Sequence, residues 1–95
     1  LLFGVDKINV EETTTRGRID VVIESEADVY IIEIKVDKSA EEALSQIKDK
    51  RYYAKYINTD KEIHIIGLNF ASKDCQIAEW KEEIIDKTTE STYLA

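Results

Sequence analysis

The sequence predicts one mixed α/β (α+β) domain, with a sheet of about five strands and one main helix after the third. Three observations carry that expectation. Short β-branched runs separated by polar connections lie on both sides of a single stretch with helical spacing. That stretch opens on Ser39-Ala40-Glu41-Glu42, the pattern of a capping box. The chain has 95 residues, no proline and no Gly/Ser-rich linker, which leaves room for a single core.

Each element can be justified in turn. Phe3 to Glu12 reads as an irregular strand that turns at Thr13-Thr14-Thr15-Arg16-Gly17, where Gly17 supplies the unusual backbone angle of the turn. Arg18 to Glu24 is the next strand. Ser25-Glu26-Ala27-Asp28 is a polar connection of hairpin length, so the following run, Val29 to Val36, pairs with it. This third run is almost continuously apolar, the pattern of a central strand buried on both faces. The helix is expected to run from Ser39 toward Ile57. Ala40, Ala43, Leu44, Ile47 and Ala54 form its packing stripe, with Gln46, Lys50, Tyr53 and Ile57 as a second line beside it. Glu62 to Leu68 is a strand, and a helical crossover makes it parallel to the third if the two pair. One helix covers one face of a sheet, so the other face is expected to need an upstream helix or another subunit, and this piece is expected to dimerise. The domain is expected to span residues 1–86, with 87–95 a polar tail that frays.

Chemistry concentrates on the second and third strands. A side-chain period of two puts Glu33 and Lys35 on one face, and the hairpin lets Asp20 lie beside Glu33. A Glu-x-Lys pair alone is a common self-paired surface couple. The apolar flanks, the Asp on the neighbouring strand and the helix that follows favour a site. Two carboxylates suit a hard divalent cation such as Mg2+ or Mn2+, which is usually held by one or two carboxylates together with phosphate oxygens. An ammonium close by can neutralise charge developing on a phosphate ester. Asp20, Glu33 and the Ile34 carbonyl are therefore the expected metal ligands, with Lys35 as the catalytic cation. Gln46 on the helix is placed to reach a metal-bound water or a phosphate.

The motifs Gly17-Arg18-Ile19-Asp20, Glu33-Ile34-Lys35 and Ala43-Leu44-Ser45-Gln46-Ile47-Lys48-Asp49-Lys50-Arg51-Tyr52-Tyr53 together resemble the PD-(D/E)XK nuclease superfamily. Within it, the similarity is to the nuclease-like domain that follows an AAA-ATPase-like domain in many bacterial proteins. The resemblance implies a restriction-endonuclease-like fold and a metal-dependent nuclease acting on nucleic acid, DNA foremost. It implies that Asp20 and Glu33 bind the metal, that Lys35 assists hydrolysis, and that Gln46 and Tyr52 or Tyr53 match the helix glutamine and its aromatic partner. Ile63 to Phe70 and Ile77 to Trp80 are similar to that group's last strands. Periodicity alone leaves the segment around Trp80 open between a strand and a short helix through Ile84 and Ile85; the resemblance favours the strand. The family core opens with a helix, whereas this chain enters a strand almost at once. The first core helix is thus expected to be missing, with a helix and an ATPase-like domain preceding this piece in a larger protein.

Composition sets the competing expectation. Twenty acidic and 13 basic residues give a net charge of −7, which opposes a polyanionic partner at long range. Lys48, Lys50, Arg51 and Lys55 locally reverse that sign, with Lys48, Arg51 and Lys55 expected on one helix face. With Tyr53 they are the expected nucleic-acid contacts. A catalytically inactive module for nucleic-acid binding or protein interaction is the alternative function. Cys75 is the one cysteine and reads as structural; His64 reads as a strand histidine satisfied by partners. No apolar run reaches membrane-spanning length, and a cytoplasmic protein is expected.

Overall fold

The computed structural model describes residues 5–13 and 18–88. The expected turn at Gly17 and most of the expected tail, residues 89–95, lie outside the described residues. Five strands form one sheet in sequence order: β1 (Val5–Thr13), β2 (Arg18–Ser25), β3 (Asp28–Val36), β4 (Glu62–Ala71) and β5 (Gln76–Ile84). Pairing is antiparallel except between β3 and β4, which run parallel because helix α1 (Ala40–Lys50) carries the chain back across the sheet. The mixed five-stranded sheet and the one main helix after the third strand are those the sequence predicts. The segment around Trp80 is a strand.

The helix begins where its cap dictates. Ser39 is extended and its hydroxyl accepts the Glu42 N–H at 3.0 Å, while the Ala40 N–H is taken by Glu79 Oε1 at 2.8 Å. Its end corrects the expected run to Ile57. Arg51 is left-handed (φ 50°) and donates its N–H to the carbonyls of Ile47 and Lys48, which closes the helix after Lys50. A 3-10 turn, Ala54–Tyr56, follows. The break rotates everything beyond it, so Ala54 is exposed instead of joining the packing stripe, whereas Tyr53 and Ile57 are buried in the core.

Alternation decides which face each strand residue serves. Val29, Ile31 and Glu33 of β3, and Ile63, Ile65 and Gly67 of β4, are buried beneath α1. Ala40, Ala43, Leu44 and Ile47 cover them. Gly67 sets the spacing: a Cβ there would lie 2.4 Å from the Ala40 carbonyl oxygen and 2.6 Å from the Leu44 nitrogen, so only glycine lets the first turns of the helix settle on the sheet. The expectation that β3 is buried on both faces is corrected. Tyr30, Ile32 and Ile34 point away from α1 and are only half-buried, because no element among the described residues covers that side. Across it Ile8, Val10, Trp80 and Ile84 keep 48–65% of their surface exposed.

Candidate active site

The β2–β3 register puts Asp20 directly opposite Glu33 and Arg18 opposite Lys35. Directly opposed antiparallel residues have Cβ atoms about 4.5–5.5 Å apart, close enough for two carboxylates to share one cation. Glu33 is fully buried under α1, and Asp20 Oδ1 and both Glu33 carboxylate oxygens are shielded from solvent. Lys35 lies one period further along the same face, its Nζ 4.0 Å from Glu33 Oε2. Buried carboxylates are costly in a low-dielectric interior unless positive charge is supplied close by. The donor set therefore fits a hard divalent cation: two oxygen ligands on rigid, paired strands with an ammonium alongside.

Lys35 also opens onto a surface cleft of about 430 Å3, which it lines together with Glu41, Glu42, Ser45, Gln46, Asp49 and Lys50. The helix thus delivers Gln46 to the cleft that Lys35 enters from the sheet. Ile34, between Glu33 and Lys35, turns its side chain to the opposite face, which leaves its backbone as the group it can offer here. Glu41, Glu42, Ser45 and Asp49 join the cleft without having been singled out by the sequence, where they read as ordinary polar helix positions. Glu41 is drawn outward by Lys81 of β5, whose Nζ lies 2.6 Å from its Oε2; hydrogen bonding and charge attraction hold the Glu41 carboxyl below its ordinary range and raise Lys81 above its own.

The expected basic stripe is not one face. Lys50 lines the cleft, Lys48 reaches over β5 to pair with Glu83 at 2.7 Å, and Lys55 lies over the Tyr56 ring at 5.2 Å. Arg51 stands 5.8 Å from the Tyr53 ring centroid. The left-handed break at Arg51 causes this dispersal, since helical spacing does not continue through it. Tyr53 is 3% exposed and packs with Val29, Ile47 and Ile63 in the core cluster, so its ring serves packing. Cys75, expected to be structural, is exposed at a left-handed turn position between β4 and β5.

His64 has the partners expected of a strand histidine, and more of them than one ring needs. Its Nε2 lies 2.9 Å from Asp28 Oδ1 and 3.2 Å from Glu62 Oε1, and its Nδ1 lies 3.2 Å from Glu82 Oε2. Tyr30 stacks on the ring at 4.4 Å. The Glu62-Ile63-His64 spacing, a carboxylate and an imidazole on one strand face, was the available sequence signal for this group.

Comparison with known proteins agrees with the geometry. Residues 2–80 match the family model of the PD-(D/E)XK nuclease superfamily. Over 70 residues the chain is 39% identical to an uncharacterized protein in the vnfD 5′ region of Azotobacter chroococcum mcd 1. That match takes in 72% of this chain and 13% of the relative, so the chain spans a small part of the relative's length. With the five-stranded sheet, the single crossover helix and the paired Asp20 and Glu33 beside Lys35, the match over residues 2–80 makes this chain a member of the PD-(D/E)XK nuclease superfamily.

Proposed function

We propose that this chain is a metal-dependent nuclease domain that hydrolyses phosphodiester bonds of nucleic acid, DNA foremost, as one module of a larger protein. The observation that carries the reading is the opposition of Asp20 and Glu33 across β2 and β3, with Lys35 on the same face. Asp20, Glu33 and the Ile34 carbonyl hold Mg2+ or Mn2+. When bound, the ion polarises the phosphate ester and makes a coordinated water acidic. Lys35 neutralises charge gathering on the phosphate oxygens and orients the attacking water, and Gln46 holds that water or a phosphate oxygen from the opposite wall of the cleft. Lys50 meets the strand backbone inside the cleft; Lys48, Arg51 and Lys55 extend the contact outside it.

The nuclease-like unit is assigned to residues 1–86, with 87–95 as a tail. An upstream ATPase-like domain, two copies meeting through the open sheet face, and a cytoplasmic setting complete the proposal. The small share of the relative that this chain matches supports a larger parent. No helix among the described residues is long and apolar enough to cross a membrane.

A second reading, a catalytically inactive nuclease-fold module for nucleic-acid binding or protein interaction, draws on the net charge of −7 and on Glu41, Glu42 and Asp49 in the cleft wall. One experiment separates the two. Wild type and Glu33→Gln are titrated with Mg2+ and Mn2+ by calorimetry and assayed for plasmid nicking on the same samples. The nuclease reading expects metal binding and nicking in wild type, with binding weakened at least about tenfold and nicking lost in the variant. Metal binding without nicking selects the inactive module; the absence of both selects a protein-interaction role.

A further inference from the structure

The face of the sheet that α1 does not cover carries its own cluster of ligating side chains. Asp28 opens β3, Glu62 and His64 open β4, and Glu82 comes from β5. Asp28 and Glu62 are register partners at the start of the parallel pair, and the Glu62 N–H donates to the Ala27 carbonyl at 2.8 Å, which fixes the two strand ends against each other. One ligand atom each from Asp28, Glu62 and His64 lies within 4.8 Å of the others. The cluster is on the opposite face from Glu33: Asp28 lies five residues from it along β3, about 16 Å at strand rise, and His64 is level with Tyr30, three residues from it.

Its geometry suits a cation. The ring has one donor in its neutral form. Glu82 Oε2 stands 3.2 Å from Nδ1, and Nε2 faces Asp28 Oδ1 at 2.9 Å and Glu62 Oε1 at 3.2 Å; in the tautomer with its proton on Nδ1, the ring offers Nε2 as a metal ligand. In that tautomer the Nε2 lone pair and two carboxylate oxygens converge, and a cation among them satisfies all three. The two distances from Nε2, 2.9 and 3.2 Å, fall among the edges of a coordination shell: ligands about 2.0–2.2 Å from a common ion at octahedral or tetrahedral angles stand about 2.8–3.6 Å apart. The Glu82 carboxylate on Nδ1 supplies the second partner that metal-bound histidines almost always have. Burial holds the ring in place: His64 is 9% exposed and stacked on Tyr30, while Glu62 is open to solvent and leaves a route for entry.

We propose that His64, Asp28 and Glu62 form a second divalent-metal site, separate from the Asp20 and Glu33 centre and oriented by Glu82. One imidazole nitrogen with two carboxylate oxygens selects a zinc-type ion over Mg2+, which prefers oxygen ligands and keeps its waters. The ion ties the starts of β3 and β4 together and clips β5 to them through Glu82, a structural role at the end of the sheet remote from the cleft.

The test uses the fact that His64 is the chain's one histidine, so its ring nitrogens are read without ambiguity in a 15N spectrum. Zn2+ is added to wild type, to Glu33→Gln and to the Asp28→Asn/Glu62→Gln double variant, and melting temperature is followed in parallel. A saturable shift of Nε2 and a rise in melting temperature are expected in wild type and in Glu33→Gln alike. Both are expected to be lost, or weakened at least about tenfold, in the double variant, and Glu82→Gln is expected to weaken binding by about tenfold. Ring nitrogens unmoved by excess Zn2+ would overturn the site. A shift that persists unchanged in the double variant would overturn it equally, since the ion would then sit elsewhere. Because Glu33→Gln leaves this site intact, its outcome is independent of the nuclease reading.

Discussion

The two faces of the sheet are built on different terms. Beneath α1 the residues are close-packed, and Glu33 is fully buried there beside its register partner Asp20 and near Lys35. On the far face the apolar residues Ile8, Val10, Trp80 and Ile84 stay largely exposed, and the polar cluster around His64 gathers at one end. The same alternating strands supply both. The difference teaches that covering one face is what turns a carboxylate pair into a shielded centre. The uncovered face keeps side chains that contribute little to folding of the single copy.

That contrast can be broken most sharply by truncating one residue on each face. Ile31→Ala removes a side chain at the middle of the helix-side core and is expected to cost about 2–5 kcal/mol in a denaturant titration. Trp80→Ser on the open face is expected to change folding stability of the single copy by no more than about 0.5 kcal/mol. With two copies meeting through this face as proposed, it is expected instead to weaken that association in sedimentation. Equal stability losses at the two positions would mean that the far face is part of the core.

Gly67→Ala sharpens the comparison from the helix side alone. The new Cβ meets backbone atoms of Ala40 and Leu44, which cannot swing aside as a side-chain tip would. The helix must lift from the sheet at a cost of about 1–3 kcal/mol. Because Gly67 is the β4 register partner of Glu33, metal affinity at the Asp20 and Glu33 centre is expected to fall with it. An unfolding midpoint equal to wild type would show that the helix is not held at this distance.

The smallest effect is expected at the rim, where the Asp37 carboxylate accepts the Ser72 hydroxyl at 2.5 Å and the Ser72 N–H at 3.0 Å. The side-chain hydrogen bond, then the backbone one, holds the Asp37 carboxyl below its ordinary range. A depressed carboxyl stabilises the fold above its unfolded-state value, and that contribution disappears as pH falls through the lower folded value. Ser72→Ala is expected to raise the Asp37 midpoint in an NMR titration and to narrow that acid window; Asp37 is fully exposed, so the change in stability is small.

Much of the helix-side centre is legible in the amino-acid sequence. The opposition of Asp20 and Glu33 follows from a four-residue polar connection between two alternating runs, because a hairpin fixes register locally. The start of α1 is legible for the same kind of reason: Ser39 signals its cap within three residues. Its end is not, because the left-handed residue that closes it is Arg51 instead of a glycine. Everything inferred by continuing helical spacing past Lys50 shifts with that break, including the buried Tyr53 and Ile57 and the separation of Arg51 and Lys55 from Lys48.

The amino-acid pattern alone settles the first four strands, the start of the helix between the third and fourth, and the pairing that puts two carboxylates and a lysine on one face. These rest on local periodicity, caps and short turns, whose physics acts between near neighbours. Only the tertiary structure decided how closely α1 settles over Gly67, which helix residues share a cleft with Lys35, and that Asp28, Glu62 and Glu82 converge on His64 from three strands. Those are long-range juxtapositions, set by sheet register and packing across tens of residues, and no local pattern encodes them.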